Sequence, residues 1–311
     1  MITQLMIKCL IAIVKNNAHT IQDISKTADA SYKKTVVAVK RLEDEALVER
    51  NRNQRSYEIQ ISQENIGKAF INLCYEAYSL DISSYLFGAK LEILKVLSIE
   101  DGFTAKDIGK ILNKHPRTIT QQLKPLRDRF IVYYRDRKFY LNRKIYDAVY
   151  LFAREYRLHT KLDVRLYWKF NDEMLFESFK EMPETSIQTG YLVFERWGVR
   201  YGGLKYFLFS PKKKLSKEEA FIHSLHQLQN PRDLAINITF YMKNKMKRDK
   251  LEFLSRYFGV NKKYHALLEM IDKGRLSPLL PKITKAELIE ILGVYDVTQR
   301  LRWNDVRQNS D

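Results

Sequence analysis

Two histidines three residues apart, His223 and His226, could put two imidazoles on one helix face toward a single metal ion. A zinc site needs a third and usually a fourth ligand, and no cysteine lies nearby. Glu218, Glu219, His265 and Asp272 could complete such a site only through tertiary folding. Glu195, flanked by Phe194 and Arg196, is a candidate for a nuclease-like carboxylate cluster, with a strand-surface ion pair as its plainer role. The chain has no G-x-S-x-G elbow, neither cysteine has a base beside it, and Glu43-Asp44-Glu45 reads as solvated charge. The expectation is no catalytic residue, no metal and no cofactor. Two other sets of residues are more coherent. One is Ser31, Tyr32, Lys33, Lys34, Lys40 and Arg41, followed by Arg50, Arg52 and Arg55. The other is His115, Arg117, Thr118, Gln121, Gln122 and Lys124, followed by Arg135, Arg137 and Lys138. Arg and Gln have the fork geometry that reads guanine and adenine, and lysines with the later arginines suit phosphate contacts.

The elements that must position the second set run from Thr104 to Leu141. Thr104 is a helix cap, with Ile108, Ile111 and Leu112 on one face. A turn at Asn113 and Lys114 precedes Pro116, which sits where a helix accepts proline. Ile119, Leu123 and Leu126 form the buried stripe of a second helix. His115 stands at its start, as a cap or as a DNA contact. Two alternating segments follow, Ile131–Tyr134 and Phe139–Leu141, separated by Arg135, Asp136, Arg137 and Lys138. The chain repeats this pattern. Moved back by 84 residues, Thr104, Asp107, Ile108 and Lys110 fall on Thr20, Asp23, Ile24 and Lys26. His115 falls on Ser31, a good cap residue, and Leu123, Leu126 and Ile131 fall on Val39, Leu42 and Leu47. A first hairpin is expected over Leu47–Glu49 and Ser56–Ile61. A helix–turn–helix with a basic ribbon is a shape that fits a major groove and touches flanking phosphates.

ASYKKTVVAVKRLEDEALVERNRNQRSYEI resembles the recognition helix and wing of MarR-type and ArsR-type transcriptional regulators, and KHPRTITQQLKPLRDRFIVYYRDRKFYL is similar. Ser31, Leu42 and Leu47 follow the spacing of that pattern, as do His115, Leu126 and Ile131. Thr35 departs from a usually aliphatic position, and Ala46 stands where glycine is frequent. Pro125, inside the second helix, is expected to kink or shorten it. The resemblance covers the first half of the chain and implies two tandem winged helices that bind double-stranded DNA. A weaker resemblance links Tyr191 to Asp272 with the C-terminal part of AbiEi-type antitoxins, through LSKEEAFIHSL, NPRDLAINITFYM and KLEFLSRYFGV. It implies a protein partner at this end of the chain. The tandem modules depart from the single one usual in that family.

The composition fits a polyanionic partner. Net charge is +17, and between Asp101 and Lys144 there are 12 Lys and Arg against 4 acidic residues. With 311 residues, 45% of them hydrophobic, the chain is long enough for two or three cores. Cys9 and Cys74 suit buried thiols in a reducing compartment. MITQLMIKCLIAIVKNN is broken by Lys8 and lacks a small-residue cleavage site. It reads as a first helix burying Leu5, Ile11 and Val14. No stretch approaches the ~18 apolar residues of a membrane span, so the expected location is cytoplasmic.

The predicted organisation is α+β and mainly α. Winged domains span 1–61 and 87–145 around a connecting helix within 62–86, and a mixed α+β domain spans 146–311. Gln63–Tyr78 is predicted helical, with Ile66, Phe70, Leu73 and Tyr78 on its apolar face. Ile145–Arg157 and Asp163–Phe179 are read as helices, and Tyr191–Trp197 and Leu204–Phe209 as strands around Gly198, Gly202 and Gly203. Ser216 and Glu219 form a capping box for a helix through Leu228, with four more helices after it. The function expected is a sequence-specific DNA-binding transcriptional regulator, a repressor with antitoxin-like features. Its partners would be double-stranded DNA and a toxin or regulator at the C-terminal domain, with homodimerisation open. The alternatives are a protein-interaction scaffold or antitoxin with weak nonspecific DNA binding, and a nucleic-acid enzyme with its active site in the C-terminal domain.

Overall fold

The computed structural model describes residues 2–53, 56–77, 80–100, 102–178, 183–201, 206–295 and 297. The chain is α+β and mainly helical, with small antiparallel sheets. It divides into two compact units, Met1–His159 and Thr160–Asp311.

The first unit repeats one arrangement. Helices α1 (Gln4–Asn16), α2 (Ile21–Thr27) and α3 (Tyr32–Asp44) lead into the antiparallel pair β1 (Val48–Asn53) and β2 (Ser56–Ile61). After α4 (Asn65–Glu76) and the short α5 (Ile82–Tyr85), the order recurs. It now runs α6 (Gly88–Leu97), α7 (Ala105–Ile111), α8 (Pro116–Asp128), β3 (Val132–Arg135) and β4 (Lys138–Leu141). The bounds of α2 and α7, and of α3 and α8, differ by 84 residues at both ends. Local chemistry repeats in the same register. The Thr20 hydroxyl accepts the Asp23 N–H, and the Thr104 hydroxyl that of Asp107. The turn residues Asp29 and Asn113, and the corner residues Ala46 and Phe130, have φ values of 51° and 50°, and of 54° and 58°. A left-handed residue ends α3 and α8 alike, so Ala46 takes up without glycine the strain that glycine would relieve. Pro125 neither shortens nor ends α8, which runs on to Asp128.

The buried face of α1 is Met6, Ile7, Cys9, Leu10, Ala12 and Ile13; Leu5, Ile11 and Val14 are only half-buried. The helix is turned from the expected orientation because α2, α3, α4, α5 and β2 all pack around it. Both cysteines are free and buried, and burial pushes the Cys9 thiol up to about 11 and Cys74 to about 12. In α4, Ile66, Phe70 and Leu73 are buried as the pattern predicts, and Tyr78 lies outside the described residues.

Helix α9 (Arg143–Leu158) closes this unit. From sequence it opens the C-terminal domain, but it packs on α4 and α6. Phe152, fully buried, meets Phe70 edge-on with ring centroids 5.4 Å apart. The Tyr156 hydroxyl donates to Glu45 at 3.0 Å, and Arg157 Nε donates to Ser98 at 3.3 Å. Beside them lies a buried ion pair, Lys95 Nζ to Glu92 at 2.9 Å. One helix therefore bonds to the end of α3 and to the end of α6.

The second unit differs from its sequence reading in two places. Of the predicted helix Asp163–Phe179, the described residues to Ser178 are not helical: β5 (Arg165–Phe170) and β6 (Glu173–Ser178) form a hairpin around Asn171-Asp172, with Asn171 at φ 50°. A bulge between Leu166 and Trp168 breaks the alternation that would have marked β5 as a strand. Tyr191–Trp197 is not a strand: Gly190–Trp197 is a 3-10 helix, ended by Gly198 at φ 79°. Its Phe194 stacks on Phe240. Strands β7 (Ile187–Gln188) and β8 (Tyr206–Ser210) complete a sheet of order β5-β6-β8-β7, and the turn at Gly202-Gly203 lies outside the described residues. Helix α10 (Lys217–Ser224) carries the Ser216–Glu219 capping box but ends short of Leu228. The helices α11 (Pro231–Lys243), α12 (Arg248–Tyr257), α13 (Asn261–Lys273) and α14 (Lys285–Gly293) follow. Trp168 anchors sheet to helix, its indole N–H donating to the Tyr257 carbonyl at 2.8 Å and its ring packing on Phe258.

If α9 holds the first unit together, Phe152→Ala leaves a cavity against Phe70 and lowers stability by about 3–5 kcal/mol. Urea unfolding followed by far-UV circular dichroism measures this, and a loss below about 1 kcal/mol would refute the role.

Candidate nucleic-acid interface

In both repeats the third helix buries one stripe and leaves the other bare. On α3 the stripe is Thr35, Ala38, Val39 and Leu42, with the Thr35 hydroxyl donating to the Ser31 carbonyl at 3.1 Å. This bond satisfies a hydroxyl at a position otherwise suited to an aliphatic residue. Ser31 holds the cap position, but its side chain makes no cap hydrogen bond. Tyr32, Lys33, Lys34, Lys40 and Arg41 are exposed. Lys33, Lys34 and Arg41 edge a groove of about 350 Å³ whose apolar wall includes Met6, Val37 and Ala38.

On α8, Ile119, Leu123 and Leu126 are buried. His115 is the cap, its Nδ1 accepting the Arg117 N–H at 3.2 Å. Arg117, Gln121 and Lys124 recur at spacings of four and three and are exposed, as is Thr118; Gln122 is half-buried. The 84-residue offset puts Lys33 at Arg117, Lys34 at Thr118 and Lys40 at Lys124. At these three positions the first helix has three lysines, and the second has a guanidinium, a hydroxyl and a lysine, with the Gln121 and Gln122 amides beside them.

The hairpins part the expected residues further. Arg50 is tied back to α3 by a 2.7 Å ion pair with Glu43. Arg52 is exposed, and Arg55 lies outside the described residues. In the second hairpin Asp136 and Arg137 form a two-residue turn with φ 50° and 62°, the geometry that matches strand twist. Arg135 and Arg137 are exposed and Lys138 is half-buried. The Arg135–Asp136 pair, 3.3 Å apart and largely in water, adds little. Sequence reasoning missed Arg127 and Arg129, both exposed at the end of α8. Arg129 Nε donates to the Tyr85 hydroxyl at 3.1 Å. Their positions at the end of α8, just before the basic hairpin, were the available signal.

The histidines of the second unit do not form an open site. His223 is fully buried, its Nδ1 2.7 Å from the Thr189 hydroxyl and its ring stacked on Phe209. Among the described residues, neither its Nε2 nor that of His226 has a hydrogen-bond partner. Glu219 is occupied by its cap and by Lys213, Glu218 by Lys250, and His265 by Glu252. Among the described residues no group of three or more His, Cys, Asp or Glu is arranged to hold a metal ion. Glu195 is exposed and pairs with Arg200 at 3.4 Å. No described helix is long and apolar enough to cross a membrane.

No family model, curated protein or solved structure matches this chain. The interface therefore rests on its own geometry.

The buried histidines carry a pH prediction. Burial holds the His223 imidazole well below its usual range and pushes His226 down to about 3. Unfolded imidazoles take up protons below about pH 6.5 that the native ones refuse, so stability is full above that pH and falls on acidification toward 3. Between about pH 6.5 and 4.5 His226 costs up to about 3 kcal/mol, and His223 adds to the loss in the same direction. Urea unfolding at a series of pH values should show this slope and a shallower one in His226→Gln. Equal slopes would refute the assignment.

Proposed function

We propose that the two repeats are tandem winged helices and that the chain is a sequence-specific double-stranded DNA-binding transcriptional regulator, acting as a repressor. One observation carries the reading. The same three helices and antiparallel hairpin occur twice, 84 residues apart, and each time the start of the third helix is exposed with basic or amide side chains. In such modules the first turns of the third helix enter the major groove while the hairpin follows the backbone. On this reading Lys33, Lys34, Lys40 and Arg41 meet phosphates and base edges through α3. Arg117 and Gln121, one turn apart on α8, suit guanine and adenine. Arg52, Arg135, Arg137 and Lys138 neutralise flanking phosphates. Arg50, held by Glu43, contributes by bracing its hairpin. The likeness to MarR-type and ArsR-type sequences supports the same assignment. Residues 160–311 are proposed as the oligomerisation or partner unit, in the manner of an antitoxin that represses its own operon.

The test is a fluorescence-anisotropy titration of the full chain against its own upstream duplex and a scrambled one, at several salt concentrations. The native duplex should bind at least about ten-fold more tightly, with each neutralised phosphate adding roughly 0.9 to the log–log salt slope. Arg117→Ala/Gln121→Ala should cost about 1–3 kcal/mol on the native duplex and erase the preference. Arg52→Ala/Arg137→Ala should weaken both duplexes alike and lower the slope by about 2. Equal, weak binding to both duplexes would sink sequence-specific regulation and leave the interaction scaffold as the better reading.

A further inference from the structure

The two repeats differ in one consistent direction at the base of the hairpin. In the first, Glu43 and Arg50 form the 2.7 Å ion pair; 84 residues on, the same two positions are Arg127 and Tyr134, with the guanidinium 5.9 Å from the ring centroid. Ala46 becomes Phe130, and Glu49 becomes Tyr133. The net charge of the four positions changes from −1 to +1, and three rings are gained. They are not core rings. Phe130 is 68% exposed, Tyr134 51% and Tyr133 38%. Tyr133 lies parallel to Tyr140 across the hairpin, centroids 5.1 Å apart and planes at 10°, and the Arg135 guanidinium sits 5.6 Å from the Tyr140 ring. Cross-strand stacking fixes the Tyr133 ring in place, so little freedom remains to be lost when something stacks on it.

We propose that the β3–β4 hairpin with the end of α8 binds single-stranded nucleic acid, with unpaired bases stacking on Phe130 and on Tyr133 and Tyr134, which as neighbours on β3 serve opposite faces of the hairpin. This extends the DNA reading to a second strand state and rests on the second repeat being a nucleic-acid surface. The chemistry chooses the ligand. Flat apolar rings alternating with guanidinium groups match a chain that alternates base faces with phosphates. A duplex hides its base faces in its own stack and offers these rings nothing. A protein interface of this size would carry few charges at its centre, whereas Arg127, Arg129, Arg135 and Arg137 are all exposed on the same helix end and hairpin as the rings. The first repeat has Glu43, Ala46, Glu49 and Arg50 at the matching positions, so these three rings are particular to the second repeat.

The full chain would be titrated by anisotropy against a thymidine strand of about 15 nucleotides, an abasic strand of the same length and a duplex. The thymidine strand should bind at least about ten-fold more tightly than the abasic one, since stacking and not charge separates them. Tyr133→Ala/Tyr134→Ala should erase that difference. Tyr133→Phe/Tyr134→Phe, which keeps the rings and the hairpin packing, should preserve it. Equal binding of the thymidine and abasic strands overturns the proposal, as does a preference that survives the alanine pair or is lost in the phenylalanine pair. Failure of the duplex arm alone removes the regulator reading and leaves this one standing. A uridine strand bound more tightly than thymidine upholds the stacking surface and identifies RNA as its source.

Discussion

The first unit depends on the burial of one aromatic ring. Phe152 sits at the centre of α9 and fills the space against Phe70 of α4, and around it α9 bonds to the end of α3 through Tyr156 and to the end of α6 through Arg157. Without that helix, two three-helix modules of roughly 60 residues would be joined by a connector, and domains of that size are marginal alone. With it they share a core. The ion pair of Lys95 and Glu92 lies in the same layer and is buried, which is tolerable because Lys95 also faces the Tyr156 ring at 5.3 Å. Packing thus replaces a flexible tether by a fixed spacing between α3 and α8. A fixed spacing matters for any repeated ligand, because two linked contacts reinforce each other only when their geometry allows both at once.

A second constraint is the corner that follows each third helix. Ala46 and Phe130 both occupy left-handed backbone, and the N–H of the next residue, Leu47 or Ile131, bonds to the carbonyl of Leu42 or Leu126 at 2.9 Å. That bond and the burial of Leu47 and Ile131 hold a conformation that L-residues disfavour by roughly 1–2 kcal/mol. Glycine would have relieved the strain. What it could not supply is a side chain at the point where helix meets hairpin, and in the second repeat that side chain is the most exposed of the three rings.

Much of this was legible beforehand, and the reasons for the rest are local. The Thr20–Asp23 and Thr104–Asp107 caps, the buried leucines and the 84-residue register depend only on neighbours in sequence, so their spacing reveals them. Tyr167 shows the opposite case: the bulge beside it shifts the alternation of RLYWKF by one, and the aromatic–charged mixture then resembles a helix face. Gly190–Trp197 carries β-prone residues, but burial of Tyr191, Val193 and Phe194 against α10 and α11 overrides propensity. The boundary after His159 was hidden because Val149, Phe152 and Ala153 announce a buried face without saying what covers it. At the candidate interface the cations could be named from charge alone. The sequestering of Arg50 by Glu43, and the exposure of Phe130, Tyr133 and Tyr134, could not, since composition ranks aromatic residues as core.

These differences are what distinguishes two copies of one arrangement. The second and third helices match in length and register, so there the side chains at equivalent positions are what separates the repeats; the hairpins differ also in strand length, six residues in the first and four in the second. In the first repeat an acid on the helix neutralises an arginine on the hairpin, leaving Lys33, Lys34 and Lys40 to act as point charges. In the second the acid has become Arg127, its partner has become a ring, and α8 presents Arg117 and Gln121, whose planar groups have directional geometry. Point charges favour any phosphate backbone and weaken steeply with salt; planar groups and rings discriminate by shape and lose far less. If both surfaces engage one nucleic acid, each supplies salt-dependent attraction and the planar groups of the second add selectivity, with α9 setting the distance between them.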